Sequence, residues 1–280
     1  MSLRVEILLS TMYKVDLDFL EPMFQHNSID DFDIIIVNQT SNDKLLHSKN
    51  SKIKVFNSLE RGSPASRNLA IKKATKDICL MSDDDIVYQP NLLQTILEAY
   101  RDQPEASLIS FEAINEYGKL YTNYYPQGRH DKKTLKKIYT WVITFRRSVF
   151  KDHDIYFNHY FGVGAIFKGV TEYVFLRNAY DQGLLMYHMS KTIVMHPDMS
   201  SGRKMGGDNA IYARAAMHQR FYGNLSYLWL VKYLFFLLRH GYISSKDISH
   251  KFLVGVKGIK KYNELKIKGK IDQLYDYKYN

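Results

Sequence analysis

Short apolar runs alternate with polar and helical stretches through the first ninety residues. Residues 5–9, 32–37, 53–56 and 78–81 have strand length and composition, and 16–26 and 64–74 read as helices between them. That alternation predicts βαβ units and a parallel sheet, in which ligands bind beyond the carboxyl ends of the strands. Ser10-Thr11, Asn38-Gln39-Thr40 and Asp83-Asp84-Asp85 all fall at such ends. Further along, 91–101 is expected as a helix with Leu92, Leu93, Ile96 and Leu97 on one face, 108–112 as a strand and 139–145 as another strand. Residues 171–181 read as a helix, 192–195 as a strand, and the chain from 224 onward as helical.

The apolar content of 45% over 280 residues suits one large domain or two closely packed ones. The pattern divides into a first half-domain at 1–90, a second at 91–205 and a helical, basic extension at 206–280. The start of the chain carries Glu6 in an apolar stretch too short for a signal-peptide core, so a first strand is expected there. The apolar stretch 227–238 is twelve residues broken by Lys232, short of the about 20 that a spanning helix needs. It is expected to pack on the catalytic domain; lying in a membrane interface and meeting a second copy are the alternatives. Cys79 is the only cysteine, which excludes an intrachain disulfide and favours a reducing, cytoplasmic setting.

Net charge is +10, and residues 221–280 hold eleven Lys or Arg against four Asp or Glu. This basic end is a candidate surface for anionic lipid head groups or a lipid-linked diphosphate, or a solvated face. Nucleic acid ranks last as a partner, because no nucleic-acid module accompanies the charge.

Three adjacent carboxylates disfavour one another, and a hard cation, Mg²⁺ or Mn²⁺, would neutralise Asp83, Asp84 and Asp85. A plainer reading has one of them cap the helix that begins near Pro90. Upstream, Gly62 and Ser63 supply a turn, Pro64 suits the first helical position, and Arg67 lies one turn in, where a helix N-terminus and a guanidinium can meet an anion. Glycines at 162, 164 and 169 precede Glu172, an isolated acid at the start of an apolar helix.

The run Gly62-Ser63-Pro64-Ala65-Ser66-Arg67-Asn68-Leu69-Ala70, followed by Asp77-Ile78-Cys79-Leu80-Met81-Ser82-Asp83-Asp84-Asp85 and later by Phe161-Gly162-Val163-Gly164 through Thr171-Glu172, resembles the family 2 glycosyltransferases. These are inverting enzymes of GT-A type that use nucleotide-sugars, and the spacing resembles their bacterial surface-polysaccharide branch. The resemblance covers about residues 5–201. It implies an α/β fold with a Rossmann-like, mixed, mostly parallel sheet flanked by helices, and a C-terminal helical extension. It also implies a Mn²⁺ or Mg²⁺ cofactor, a donor that is a UDP-sugar, and a glycan acceptor compatible with a polyprenyl diphosphate carrier at the inner face of the cell membrane.

By the same resemblance, Asp85 is the direct metal ligand, Asp83 its partner, and Asp84 a contact to the donor ribose or sugar. Thr11 matches a position near the nucleotide base, Arg67 one near the donor, and Glu172 the general base. His196 stands where relatives carry a histidine near the metal, and Arg203 with Lys204 lies on a loop able to close over the diphosphate. Two positions depart from the family pattern: Thr171 replaces the first acid of the catalytic pair, and Asn38 stands where relatives carry an aspartate. Two other classes remain: a nucleotidyltransferase, and a non-catalytic relative that docks on glycan or membrane.

Overall fold

The computed structural model describes residues 3–197 and 205–272. The elements in chain order are β1 (Val5–Met12), α1 (Leu20–Met23), β2 (Asp33–Gln39), β3 (Ile53–Ser58), α2 (Ser63–Lys73), β4 (Ile78–Asp83), β5 (Val87–Tyr88), α3 (Leu92–Asp102), β6 (Leu108–Ile114), β7 (Gly128–Arg129), β8 (Ile143–Arg146), α4 (Arg147–Asp152), α5 (Thr171–Asp181), β9 (Met186–Met195), α6 (Asp208–Tyr222), α7 (Leu225–Arg239) and α8 (Ile248–Ile267). They fall into two compact units. One comprises Met1–Arg61, Ala65–Tyr156 and Phe175–Met199; the other comprises Gly62–Pro64, Phe157–Val174 and Ser200–Asn280. The division differs from the three sequence segments, because 157–174 goes with the C-terminal helices.

The first unit is built on one mixed sheet in the order β3-β2-β1-β4-β8-β6-β9-β5, with β7 on β9. β3, β2, β1 and β4 run parallel, and this half carries the continuous apolar runs seen in the sequence, as expected of strands covered on both faces. Ile7, Leu8, Leu9, Ile35, Ile36, Leu80 and Met81 are fully buried there. Register places Thr11 opposite Asn38 and Ser10 opposite Asp83, so three strand tips end level with one another. β8 runs antiparallel to β4 and to β6, which restores the direction of β4 in β6 and β9. The end of β9 therefore points to the same sheet edge as the end of β4.

Glu6 interrupts the first apolar run without cost, because its carboxylate accepts N–H bonds from Thr75 at 2.6 Å and Lys76 at 3.2 Å at the turn entering β4.

Three expected elements differ in the structure. The helix expected at 16–26 is a single turn, α1, because Pro22 has no N–H to continue a helix begun at Asp16. The strand expected at 139–145 is a 3₁₀ turn over Thr140–Val142 followed by β8. β9 begins at Met186, well before 192, because its polar first half pairs with β6: His188 lies opposite Ser110. Ser110 Oγ bonds to His188 Nδ1 at 3.2 Å and to His130 Nε2 at 2.8 Å, while His130 Nδ1 bonds to Thr134 Oγ1. Burial lowers the pKa of both imidazoles, that of His130 to about 4, so both are neutral at pH 7.

The second unit is a helical body. Phe161, Phe167 and Val174 share a core with Ala213, Ala216, Tyr262 and Leu265, while Ile211, Ala215, Leu230, Leu234, Leu237 and Ile259 form another. α6 and α8 approach so closely that a Cβ on Gly258 would lie 2.4 Å from the backbone oxygen of Tyr212. A Cβ on Gly255 would meet the end of the Leu230 side chain, also at 2.4 Å.

The two glycines are expected to respond differently to alanine, although helix propensity favours the change at each by about 1 kcal/mol. The Leu230 side chain can rotate and the Tyr212 backbone cannot. Gly258→Ala is therefore expected to cost about 1–3 kcal/mol in denaturant melts, and Gly255→Ala less. A second expectation concerns acid. The unfolded chain protonates its histidines near pH 6.5, and buried His130 resists protonation until about 4. The unfolded state thus binds more protons between those values, and stability falls as pH drops through the window, by up to about 3 kcal/mol from this group. Thermal melts from pH 7 to 4 should show that slope, and His130→Gln should flatten it.

Candidate active site

The tip of β4 delivers Asp83, Asp84 and Asp85, and each meets a different partner. Both Asp83 oxygens accept from Nη2 of Arg67, at 3.1 and 3.3 Å. Arg67 reaches them because α2 runs directly into β4, placing its buried guanidinium beside the strand end. Asp84 Oδ2 accepts from Thr11 Oγ1 at 2.5 Å and pairs with Lys14 Nζ at 3.3 Å, both at the tip of β1. Asp85 Oδ1 faces His196 Nε2, just past the end of β9, at 3.5 Å.

Capping plays no part in this arrangement. The first N–H of α3, on Leu92, donates to Asn27 Oδ1 at 3.2 Å, so the helix entrance is met from a different loop.

Asp85 is the most open of these groups, with 60% of its side chain exposed. Burial of the remainder nonetheless raises its pKa; His196 opposes that rise, and the charges of Asp83 and Asp84 add to it. His196 is 7% exposed. Its Nδ1 lies 2.6 Å from the carbonyl oxygen of Pro197, which can only accept, so Nδ1 carries a proton and the ring turns Nε2 toward Asp85. A histidine oriented in this way by a backbone carbonyl is a common arrangement of metal ligands.

Among the described residues, no group of three or more His, Cys, Asp or Glu side chains is gathered to hold a metal. The Asp85–His196 pair fits a cation completed by a substrate's phosphates and water, since such cations are commonly bound through one or two carboxylates plus substrate oxygens. Imidazole suits Mn²⁺ better than Mg²⁺.

An aromatic wall holds His196. The Trp141 ring stacks on it with centroids 4.8 Å apart, Tyr139 stacks on Trp141 at 5.0 Å, and Tyr121 meets the His196 ring edge-on at 5.3 Å. The Tyr121 hydroxyl is buried with no hydrogen-bond partner among the described residues. Neither Trp141 nor Tyr121 was expected as a site residue, because the first sits in a segment that reads as a strand and the second in a polar stretch without periodicity. Tyr13 and Lys14 were missed as well. Tyr13 takes a left-handed φ of 56° at the tip of β1, and the Arg61 guanidinium lies 5.2 Å from its ring centre. Strain of this kind in a non-glycine residue is a feature of ligand-binding turns. The one available signal was position, immediately after the Ser10-Thr11 strand tip.

Asn38 is fully buried, and its side-chain amide is occupied within the protein. It accepts from the Lys14 N–H at 3.1 Å and donates to the Lys14 carbonyl at 2.9 Å and to Asn57 Oδ1 at 3.0 Å. It thus pins the turn that carries Tyr13 and Lys14. Arg203 and Lys204 lie outside the described residues.

Glu172 belongs to the second unit and is half-buried in the first turn of α5. The loop before it is held by two bonds: the Ser63 N–H donates to the Val163 carbonyl at 2.9 Å, and the Val163 N–H donates to Ser63 Oγ at 3.1 Å. Gly162, at φ +136°, leaves no room for a Cβ, which would lie 2.7 Å from Ser63 Oγ. Val170 takes φ 53°, a conformation a β-branched residue rarely adopts, two residues before Glu172.

Several solved structures share the fold. The crystal structure of S. aureus TarS 1–349 superposes with a TM-score of 0.54 at 14% identity, covering 97% of this chain and 93% of that one. The same fragment in complex with UDP-GlcNAc gives 0.57 at 12% identity, covering 98% and 95%. No curated protein matches the chain. A sequence model described as Glycosyl transferase family 2 matches residues 19–170, a span that includes Asn38, Arg67 and the three aspartates and stops just short of Glu172. With more than half of its length matched by that model, the chain belongs to glycosyl transferase family 2.

Proposed function

We propose that this glycosyltransferase moves a sugar from a UDP-sugar to a glycan hydroxyl, with inversion, in the synthesis of a bacterial surface polysaccharide. The observation that carries the reading is the division of labour at the tip of β4: Asp83 is taken by Arg67 and Asp84 by Thr11 and Lys14, which leaves the more exposed Asp85 facing Nε2 of His196. The donor class is supported by the shared fold with TarS 1–349, which has been solved with UDP-GlcNAc and with UDP.

On this reading Tyr13 offers its ring to the base, and Asn38 holds the turn that presents it. Lys14 and Arg67 lend positive charge beside the diphosphate, with Arg203 as a further contact. Asp85 and His196 would hold Mn²⁺ or Mg²⁺, with Asp83 as the second aspartate of the motif. Bound there, the cation would neutralise charge on the departing diphosphate. Glu172 accepts the proton of the acceptor hydroxyl. The hydroxyl oxygen bonds to the anomeric carbon as the bond from that carbon to the diphosphate oxygen breaks, and the electron pair leaves with the nucleoside diphosphate. The acceptor glycan is carried on a polyprenyl diphosphate, met at the cytoplasmic face of the membrane by the basic C-terminal segment.

Calorimetric titration of UDP with and without Mn²⁺ tests the site. Asp85→Ala is expected to abolish the Mn²⁺-dependent part of binding together with transfer. Equal binding by wild type in Mn²⁺ and in chelator would exclude the metal. Glu172→Gln should keep donor binding and lose transfer by about 10²–10⁴-fold, the usual worth of a general base. Full transfer by that variant removes Glu172 from the role.

A further inference from the structure

We infer that the outward face of α7 docks on a lipid bilayer bearing anionic head groups. This deepens the reading above by assigning the surface that brings the enzyme to a lipid-carried acceptor, and it rests on that reading for the acceptor alone. α7 is apolar on two sides. Leu230, Tyr233, Leu234 and Leu237 face inward and fix the helix against Ile211, Ala215 and Ile259 of its own unit. That inward stripe suffices to seat the helix. On the other side Leu225, Leu228, Val231 and Phe235 are 65%, 72%, 55% and 64% exposed, spaced three, three and four residues apart on one face. Large apolar side chains contiguous on a surface mark an interaction site.

Charge selects the partner. From Asn209 to Lys246 the sequence contains no Asp or Glu, and the two charged residues of α7, Lys232 and Arg239, are exposed and interleave with the apolar stripe. Long basic side chains of this kind lay their stems along apolar surface and raise their charge to the head-group level. Exposed Tyr227 and Tyr242 add the amphipathic rings favoured at a membrane interface. A second copy of the chain fits less well, because a twofold pairing of this face would oppose cations to cations with no carboxylate to answer them. No helix among the described residues is long and apolar enough to cross a membrane, and α7, at 15 residues, would lie along the surface.

Vesicle flotation with the full chain tests this, using phosphatidylcholine alone or mixed with phosphatidylglycerol, with UDP-sugar hydrolysis read on the same samples. Capture by the mixed vesicles is expected, falling about fivefold for each charge removed in Lys232→Gln and Arg239→Gln. Capture should be lost in the Leu228→Asp/Phe235→Asp variant, with circular dichroism and hydrolysis unchanged. Should the aspartates disturb folding, Leu228→Ser/Phe235→Ser serves in their place. Equal capture of wild type and the aspartate variant, capture independent of phosphatidylglycerol, or no capture overturns the proposal. So does self-association in sedimentation that the aspartates abolish while vesicles bind nothing. In the wild type, hydrolysis without capture sinks the docking surface alone, and capture without hydrolysis sinks the donor reading alone.

Discussion

Three like charges on consecutive residues cannot share one strand end unless something separates or neutralises them, and that constraint organises the sheet edge. Each carboxylate is met from a different element: Asp83 from α2, Asp84 from β1, Asp85 from the end of β9. The partners grade from a buried guanidinium, through a hydroxyl and an ammonium, to an imidazole. The first two pairings resolve within the protein. The third leaves its carboxylate the most open, since Asp85 keeps 60% of its side chain exposed beside His196.

The rest of the first unit serves this edge. The parallel half of the sheet brings the tips of β1, β2 and β4 level, and the antiparallel β8 turns the chain so that β9 also ends there. A fully antiparallel continuation from β4 would have put His196 at the opposite edge. The rings of Trp141 and Tyr121 then hold the imidazole in place, and the Pro197 carbonyl fixes its tautomer.

The sequence made some of this legible and hid the rest, for physical reasons. Local order was readable: α2 running into β4 places Arg67 near Asp83, and only sixteen residues separate them. The strand tips were readable because buried parallel strands are continuous apolar runs with abrupt polar ends. The pairing of Asp85 with His196 was not, since it depends on strand order and on the direction of β9. His188 concealed half of that strand: a polar residue reads as solvent-facing, yet here it is buried and satisfied by Ser110 and Glu112. Pro22 limited α1 to one turn despite apolar positions at helical spacing. Tyr13 and Trp141 carry no periodic signal at all, because their roles come from a strained turn and from a stack that exist only in the folded chain.

The segment 161–170 shows the same priority of placement over stability. Val170 gives up of order 1–3 kcal/mol to hold a left-handed backbone. Glycine there would relieve the strain, but the Val170 side chain packs on the core shared by Phe161, Phe167 and Val174. A valine retained for packing alone would be expected in an ordinary extended or helical conformation. Held instead between φ 53° and the start of α5, it sets where the helix begins and thus the direction in which Glu172 leaves the backbone. Ser63 and Val163 brace the other end of the same loop through two hydrogen bonds, beside a Gly162 whose Cβ would clash with Ser63 Oγ. A loop of that build costs stability in order to fix where α5 begins.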